Sequence, residues 1–197
     1  MIDWNLALEV FGTIIGLFYL YYEYKAHRML WVMGIIMPAV SLGVYYNAGL
    51  YADMGINIYY ILAGIYGYVV WTFKNKRRRE VSLPITHTPR RTYVYSTAIT
   101  ICIFTLIYNI LLHYTDSTVP AWDALSTALS ITAMWMLARK YIEQWAVWIL
   151  VDIISVGLYI YKGIYFYAGL YALYIVIAVL GYINWLKIMK NEHNRPL

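Results

Sequence analysis

Seven membrane-crossing α-helices and little else are what these 197 residues predict. Three observations carry that reading. Hydrophobic types make up 62% of the chain and charged residues 13%, against roughly 45–50% and a quarter in soluble domains. The apolar residues fall into seven runs of helix-spanning length. The basic residues fall almost wholly on one side of the bilayer once those runs are counted as crossings. An all-α integral membrane protein follows, because backbone groups in lipid must be paired internally and no period-2 barrel pattern is present.

The runs justify themselves in order. Span 1, Leu6–Tyr22, has Asp3 and Glu9 at its start. It has no basic leader and no small-residue cleavage site, so it is not a removable signal peptide. Span 2, Met29–Tyr46, carries Pro38, which predicts a kink. Span 3, Tyr51–Phe73, stops at the basic run 74–79. That run reads as a juxtamembrane stop signal rather than a nucleic-acid patch. Ser82–Arg91, with Pro84 and Pro89, reads as an extended cytoplasmic connection. Spans 4 to 7 are Tyr93–Tyr114, Pro120–Ala138, Gln144–Tyr161 and Ile164–Leu186. Each run is long enough to cross about 30 Å of hydrocarbon as helix.

Alternating the loops puts Lys25, Arg28, the seven basic residues of the 74–92 loop, Arg139, Lys140, Lys187, Lys190 and Arg195 on one side. Lys162 alone lies on the other. A missed helix would scramble that split. By the positive-inside rule the N-terminus faces out and the C-terminus faces the cytoplasm.

Sliding the chain by 114 residues exposes a repeat. Ser41, Gly43, Tyr45, Gly49, Tyr51, Gly55, Tyr60, Ile61, Gly67, Tyr68 and Trp71 fall on Ser155, Gly157, Tyr159, Gly163, Tyr165, Gly169, Tyr174, Ile175, Gly181, Tyr182 and Trp185. Trp31 falls on Trp145. Gly12 and Gly16 fall on Ser126 and Ser130, a small-xxx-small spacing that lets helices approach. The predicted organisation is a first three-helix repeat (1–73), a basic loop with linker span 4 (74–119), a second three-helix repeat (120–187) and a cytoplasmic tail (188–197). Three helices plus a linker keep both repeats in the same sense across the membrane. This 3+1+3 arrangement is SWEET-like, and such pseudo-symmetry predicts a cavity between the halves near mid-membrane. Duplication for packing alone is the bland alternative.

An asymmetric ligand needs a place where the halves disagree, and span 6 is the clearest. Trp145, Trp148 and Asp152 share one helix face, and their counterparts in span 2 are Trp31, Gly34 and Pro38. Asp152 lies halfway along its span, where an ionisable group marks function by default; the alternative is a hydrogen-bonded packing residue. Trp145 sits near the cytoplasmic end, where interfacial anchoring competes with binding. Asp53, Asn57 and Tyr60 share a face of span 3, Tyr60 having a repeat mate that suits packing equally. Thr127 and Ser130 in span 5 are candidates too, although such hydroxyls often bond back to their own helix. Asn109 and His113 read as structural. Aromatic faces attract flat rings and cations, and a carboxylate adds counter-charge, so the pocket chemistry suits a cationic aromatic heterocycle.

The chain resembles the PnuC-type vitamin transporter family over residues 6–187. The resemblance is carried by Leu50-Tyr51-Ala52-Asp53 with Tyr59-Tyr60 and Tyr66-Gly67, by Trp122-Asp123-Ala124-Leu125-Ser126-Thr127-Ala128, and by Leu137-Ala138-Arg139-Lys140-Tyr141. Most specific is Trp145-x-x-Trp148-x-x-x-Asp152 followed by Gly157-Leu158-Tyr159-Ile160-Tyr161-Lys162-Gly163. It implies facilitated diffusion across the inner membrane without ATP or cofactor. It also implies nicotinamide riboside as the best-known substrate, trapped inside by a cytoplasmic kinase, with thiamine and riboflavin carried by sister groups. Asn57 stands where the family often has Gln, and Asp152 where many members have Asn. A homo-oligomer is compatible with all of this.

Other classes fit poorly. A retinal photoreceptor needs a mid-span lysine in its last helix, and Ile164–Leu186 has none. A membrane-embedded enzyme, the alternative of another class, would need a catalytic cluster at one interface, but His27, His87, His113 and His193 show neither metal-ligand spacing nor a catalytic triad pattern. Cys102 alone excludes an internal disulfide.

Overall fold

Helices occupy nearly every stretch that the apolar runs mark out. The structure, a computed structural model, describes residues 4–47, 51–73 and 83–193. The basic run 74–79 lies outside the described residues, as does Arg195 in the tail. In order the helices are α1 (Trp4–Tyr24), α2 (Met29–Asn47), α3 (Tyr51–Phe73), α4 (Arg90–Tyr114), α5 (Pro120–Ala138), α6 (Gln144–Tyr161) and α7 (Tyr165–His193). Spans 3, 5 and 6 begin and end where the apolar runs do. Among the described residues, four stretches are long and apolar enough to cross a membrane on their own: 56–73, 90–114, 144–161 and 165–192. Met29–Gly43 is apolar but shorter.

Two boundaries differ from expectation by three residues or more. Among the described residues the connection is extended from 83 only to Pro89, the N-cap residue (φ −60°, ψ 143°), and α4 starts at Arg90. At the other end α7 runs through Lys187 and Lys190 to His193 instead of stopping at Leu186. The added turns are polar helix, which an apolar-run criterion cannot see.

The chain divides into two compact units, Met1–Leu83 and Pro84–Leu197. In the first, α2 packs on both α1 and α3. In the second, α4 packs on α5, α5 on α6 and α6 on α7. The Thr100 hydroxyl meets that of Thr132 at 2.6 Å, a polar tie between α4 and α5.

The 114-residue offset reappears as geometry within each unit. Trp31 is buried and sits edge-on to Trp71, ring centroids 5.7 Å apart and planes at 89°. Trp145 is buried edge-on to Trp185 at 5.7 Å and 90°. In each unit the indole lies over a glycine of the facing helix, Gly67 or Gly181, with no room for a Cβ. The turns before α2 and α6 match as well. Ala26 N–H donates to Glu23 O and His27 N–H to Tyr22 O, both at 2.9 Å. Lys140 N–H donates to Leu137 O at 2.9 Å and Tyr141 N–H to Met136 O at 3.0 Å. This is the hydrogen-bond pattern that closes a helix on a left-handed residue, usually glycine. Here Ala26 (φ 50°) and Lys140 (φ 54°) hold that conformation instead. Gly163 (φ 73°) closes α6 in the same way.

The paired small residues behave unevenly. A Cβ on Gly12 would stand 2.9 Å from Met37 Cε, so α1 and α2 do approach there; Gly16 faces open space. On α5 the fully buried small residues include Ala124, Ala128 and Ala133, whereas Ser126 and Ser130 are only partly buried. The serine hydroxyls bond back to the carbonyls of Asp123 and Ser126, which turns them away from a dry interface.

The segment before α4 is tied down rather than loose. Thr86 bridges to Tyr141, with Thr86 N–H on Lys140 O and Ile142 N–H on Thr86 O, both 3.1 Å. Ile85 N–H reaches Glu192 Oε2 at 3.3 Å. Glu143 accepts from Thr88 N–H at 2.9 Å and the Thr88 hydroxyl at 2.7 Å, and its other oxygen lies 2.7 Å from His87 Nδ1. Burial alone would raise the Glu143 carboxyl, but the bonds from Thr88 and His87 outweigh it and hold it below its ordinary 4.5. Its stabilising effect is therefore complete above pH 4.5 and is lost as pH falls through its lower folded value. Glu143→Gln is expected to cost about 1–2 kcal/mol at neutral pH, the scale of charge-assisted bonds. The thermal midpoint of the purified protein below pH 4.5 checks this: the variant should show a shallower acid loss than the parent. Superimposable acid profiles would remove Glu143 as the clamp. Beside it, burial lowers Lys140 to about 8, with Glu192 pulling the other way.

Candidate functional site

One face of α6 concentrates polar groups in the apolar interior of the second unit. Gln144, Trp148 and Asp152 follow one another at four-residue steps, about 6 Å apart along the axis. Asp152 is 5% exposed, and among the described residues no cation pairs with it. It lies near Tyr171 and Tyr174 on α7. The Trp148 indole N–H is buried with no hydrogen-bond partner among the described residues. Gln144 is fully buried, and neither its amide nitrogen nor its amide oxygen has one.

Aromatic rings continue from Asp152 toward the end of the unit that carries Lys162. Tyr159 stacks on Tyr171 (centroids 5.2 Å, 24°) and on Tyr167 (5.3 Å, 22°). Tyr171 in turn meets Tyr174 edge-on at 5.6 Å. This row, Tyr167, Tyr171 and Tyr174, occupies the repeat positions of Asp53, Asn57 and Tyr60. The sequence pattern singles out the polar set and passes over the tyrosines, although the 114-residue offset aligns the two. At that same end Asp123 accepts from the Ser117 hydroxyl at 2.9 Å and lies 3.6 Å from Lys162 Nζ.

The residues expected at the site separate into groups. Trp148 and Asp152 stay together on α6. Trp145 is taken up in packing: it is 2% exposed, edge-on to Trp185, and copied by Trp31 in the first unit. An indole N–H without a partner is no mark of a ligand in that setting, since Trp31 and Trp145 share it. Trp148 differs because its repeat mate is Gly34. In the first unit Tyr19 from α1 closes over Gly34, its ring 3.1 Å from where a Cβ would stand. The repeat mate of Tyr19 is the fully buried Ala133. The large ring has moved from the first helix of one repeat to the second helix of the other. Thr127 commits its hydroxyl proton to Asp123 O at 2.8 Å. In the first unit Asn57 and Tyr60 lie on α3, partly buried and exposed respectively. The side chain of Asp53 lies outside the described residues. Asn109 bonds back to Thr105 O at 2.7 Å, as a structural residue does.

Comparison with known proteins gives the family and the fold. The Nicotinamide riboside transporter PnuC of Escherichia coli (strain K12) is 23% identical over 214 residues, covering 96% of this chain and 89% of that protein. PnuC of Neisseria mucosa is 26% identical over 179 residues, covering 82% and 65%. The Riboflavin/roseoflavin transporter RibM of Streptomyces davaonensis is 23% identical over 181 residues, covering 90% and 83%. A crystal structure of the Vitamin B3 transporter PnuC shares the fold, with a TM-score of 0.70 over 96% of this chain and 84% of that one at 23% identity. The family model described as nicotinamide mononucleotide transporter matches residues 6–187. The seven-helix chain is thus a multi-pass inner-membrane transporter, and it belongs to the nicotinamide mononucleotide transporter family of PnuC-type proteins.

Proposed function

We propose that this protein imports a flat, cationic B-vitamin compound by facilitated diffusion, with nicotinamide riboside first among the candidates. The observation that supports it best is the buried, unpaired carboxylate of Asp152 one helical turn from the unpartnered Trp148 indole N–H. Burying an uncompensated charge costs several kcal/mol. A bound cation removes that cost, and indole and phenol faces add about 0.5–2 kcal/mol each for a positively charged ring. Trp148 and Asp152 are assigned to the substrate, with Asn57 and Tyr60 proposed on sequence grounds. Asp53 and Thr127 are secondary candidates, and Trp145 is assigned to packing. The names of the PnuC relatives support the riboside.

The chain is proposed to span the membrane seven times, N-terminus out and C-terminus in, with parallel repeats. The charge distribution inside the second unit supports this, since Arg139 and Lys140 stand at the end opposite Lys162. Transport proceeds by alternating access of the three-helix repeats, and a cytoplasmic kinase consumes the product. The RibM relative supports a second reading, riboflavin; thiamine shares the flat cationic chemistry.

The test is binding of nicotinamide riboside, thiamine and riboflavin, side by side, to the purified protein. Saturable binding of the riboside or thiamine with riboflavin excluded is the expected result. Riboflavin alone binding would overturn the cationic reading. Pro38, inside α2, is proposed as a hinge of the first repeat; Pro38→Ala is expected to slow uptake, and an unchanged rate would remove that role.

A further inference from the structure

Gln144 is a poorly accommodated side chain in the second unit. It is 0% exposed, and neither its amide nitrogen nor its amide oxygen is hydrogen-bonded among the described residues. A buried amide left unpaired is destabilising, and native structures keep few such groups without a reason. Its repeat mate shows that nothing structural demands it: Leu30, at the same position of α2, is equally buried. Leucine and glutamine have similar volume, so an apolar side chain fills this position without an orphan group. The polar choice belongs to the half that also carries the unpartnered Trp148 N–H and the unpaired Asp152 carboxylate. All three follow one another at four-residue steps along about 12 Å of one helix.

We propose that Gln144 is a further substrate-binding residue, pairing through its amide with an adjacent donor and acceptor on the flat ring of the substrate. A carboxamide beside the ring, or a ring nitrogen beside an amino group, has that chemistry. Carboxamide and Gln144 then exchange two hydrogen bonds while Asp152 holds the positive charge. Because Gln144 is closed off here, the pairing forms when the transporter opens on the side of α6 where Gln144 stands. It is then the station next to Trp148 on the way out. This assignment rests on the proposed function above.

Gln144→Leu separates a binding role from a packing role, because the two move different readouts. The expected result is a thermal midpoint equal to or above that of the parent, since the orphan amide is gone. At the same time nicotinamide riboside binding weakens about tenfold or more, the scale of a lost pair of hydrogen bonds. Gln144→Met, similar in length but without the amide, should behave in the same way. Unchanged affinity in both variants would overturn the assignment while leaving the transporter reading intact. A lowered midpoint with unchanged affinity per folded molecule would make Gln144 a packing residue and overturn it too. Failure of the parent protein itself to bind the riboside, thiamine or riboflavin would instead fall on the proposed function.

Discussion

Replacing Asp152 with alanine is expected to abolish uptake while the protein still reaches the membrane. The carboxylate is 5% exposed and halfway along α6, and the described residues supply no cation for it. Breaking a buried charge pair by deleting one member costs about 3–5 kcal/mol, so uptake of a cationic substrate should fall by about a hundredfold or more. The fold should not suffer, because an unpaired buried acid disfavours it. Asp152→Asn separates charge from shape. It should depress uptake of a positively charged ring and leave binding of an uncharged one nearly intact. Trp148→Ala should match the alanine variant at 152 in uptake. Membrane level by immunoblot and rate by labelled substrate measure both. Uptake at parental rates in Asp152→Ala and Trp148→Ala together would place the site elsewhere.

The largest loss of stability is expected at Gly181. A Cβ there would stand 2.5 Å from Trp145 Cη2 and 2.6 Å from Cζ2. The ring cannot yield, because it is buried and held edge-on to Trp185. Gly181→Val should therefore cost about 3 kcal/mol, the upper end for overpacking a closed core. The same substitution at Gly67 should do equal damage, since Trp31 lies over it against Trp71. Adding Trp145→Leu to Gly181→Val should restore part of the lost midpoint, and adding it to Gly67→Val should not. A parental midpoint in Gly181→Val, or rescue of both by Trp145→Leu, would refute the joint.

Much of the candidate site is legible in the order of the residues. Asp152 stands out as an acid in the middle of an apolar run, where any ionisable group is anomalous. Trp148 stands out because its repeat mate is a glycine. The offset pairs Trp145 with Trp31 and Trp148 with Gly34, but residue order does not say which of the two rings packs and which binds. What separates them is the facing helix: Gly181 leaves a slot that Trp145 fills, and Gly67 does the same for Trp31. The tyrosine stack on α7 gives no such signal, because tyrosine is so common here, 23 of 197 residues, that no single one is distinctive. Gln144 is inconspicuous because a glutamine near a span end looks like an interfacial residue; its burial is a property of its neighbours.

The number and order of the helices, most of their limits and the 114-residue repeat can be read from residue order alone. Each is local: a run of apolar residues must become helix in lipid, and turns and charges interrupt it. Which ring packs and which polar group is left without a partner cannot. Those outcomes depend on the residue across the helix interface, distant in sequence. That Tyr19 covers Gly34, where the second repeat has Trp148 instead, becomes visible only once α1 is seen to close on α2.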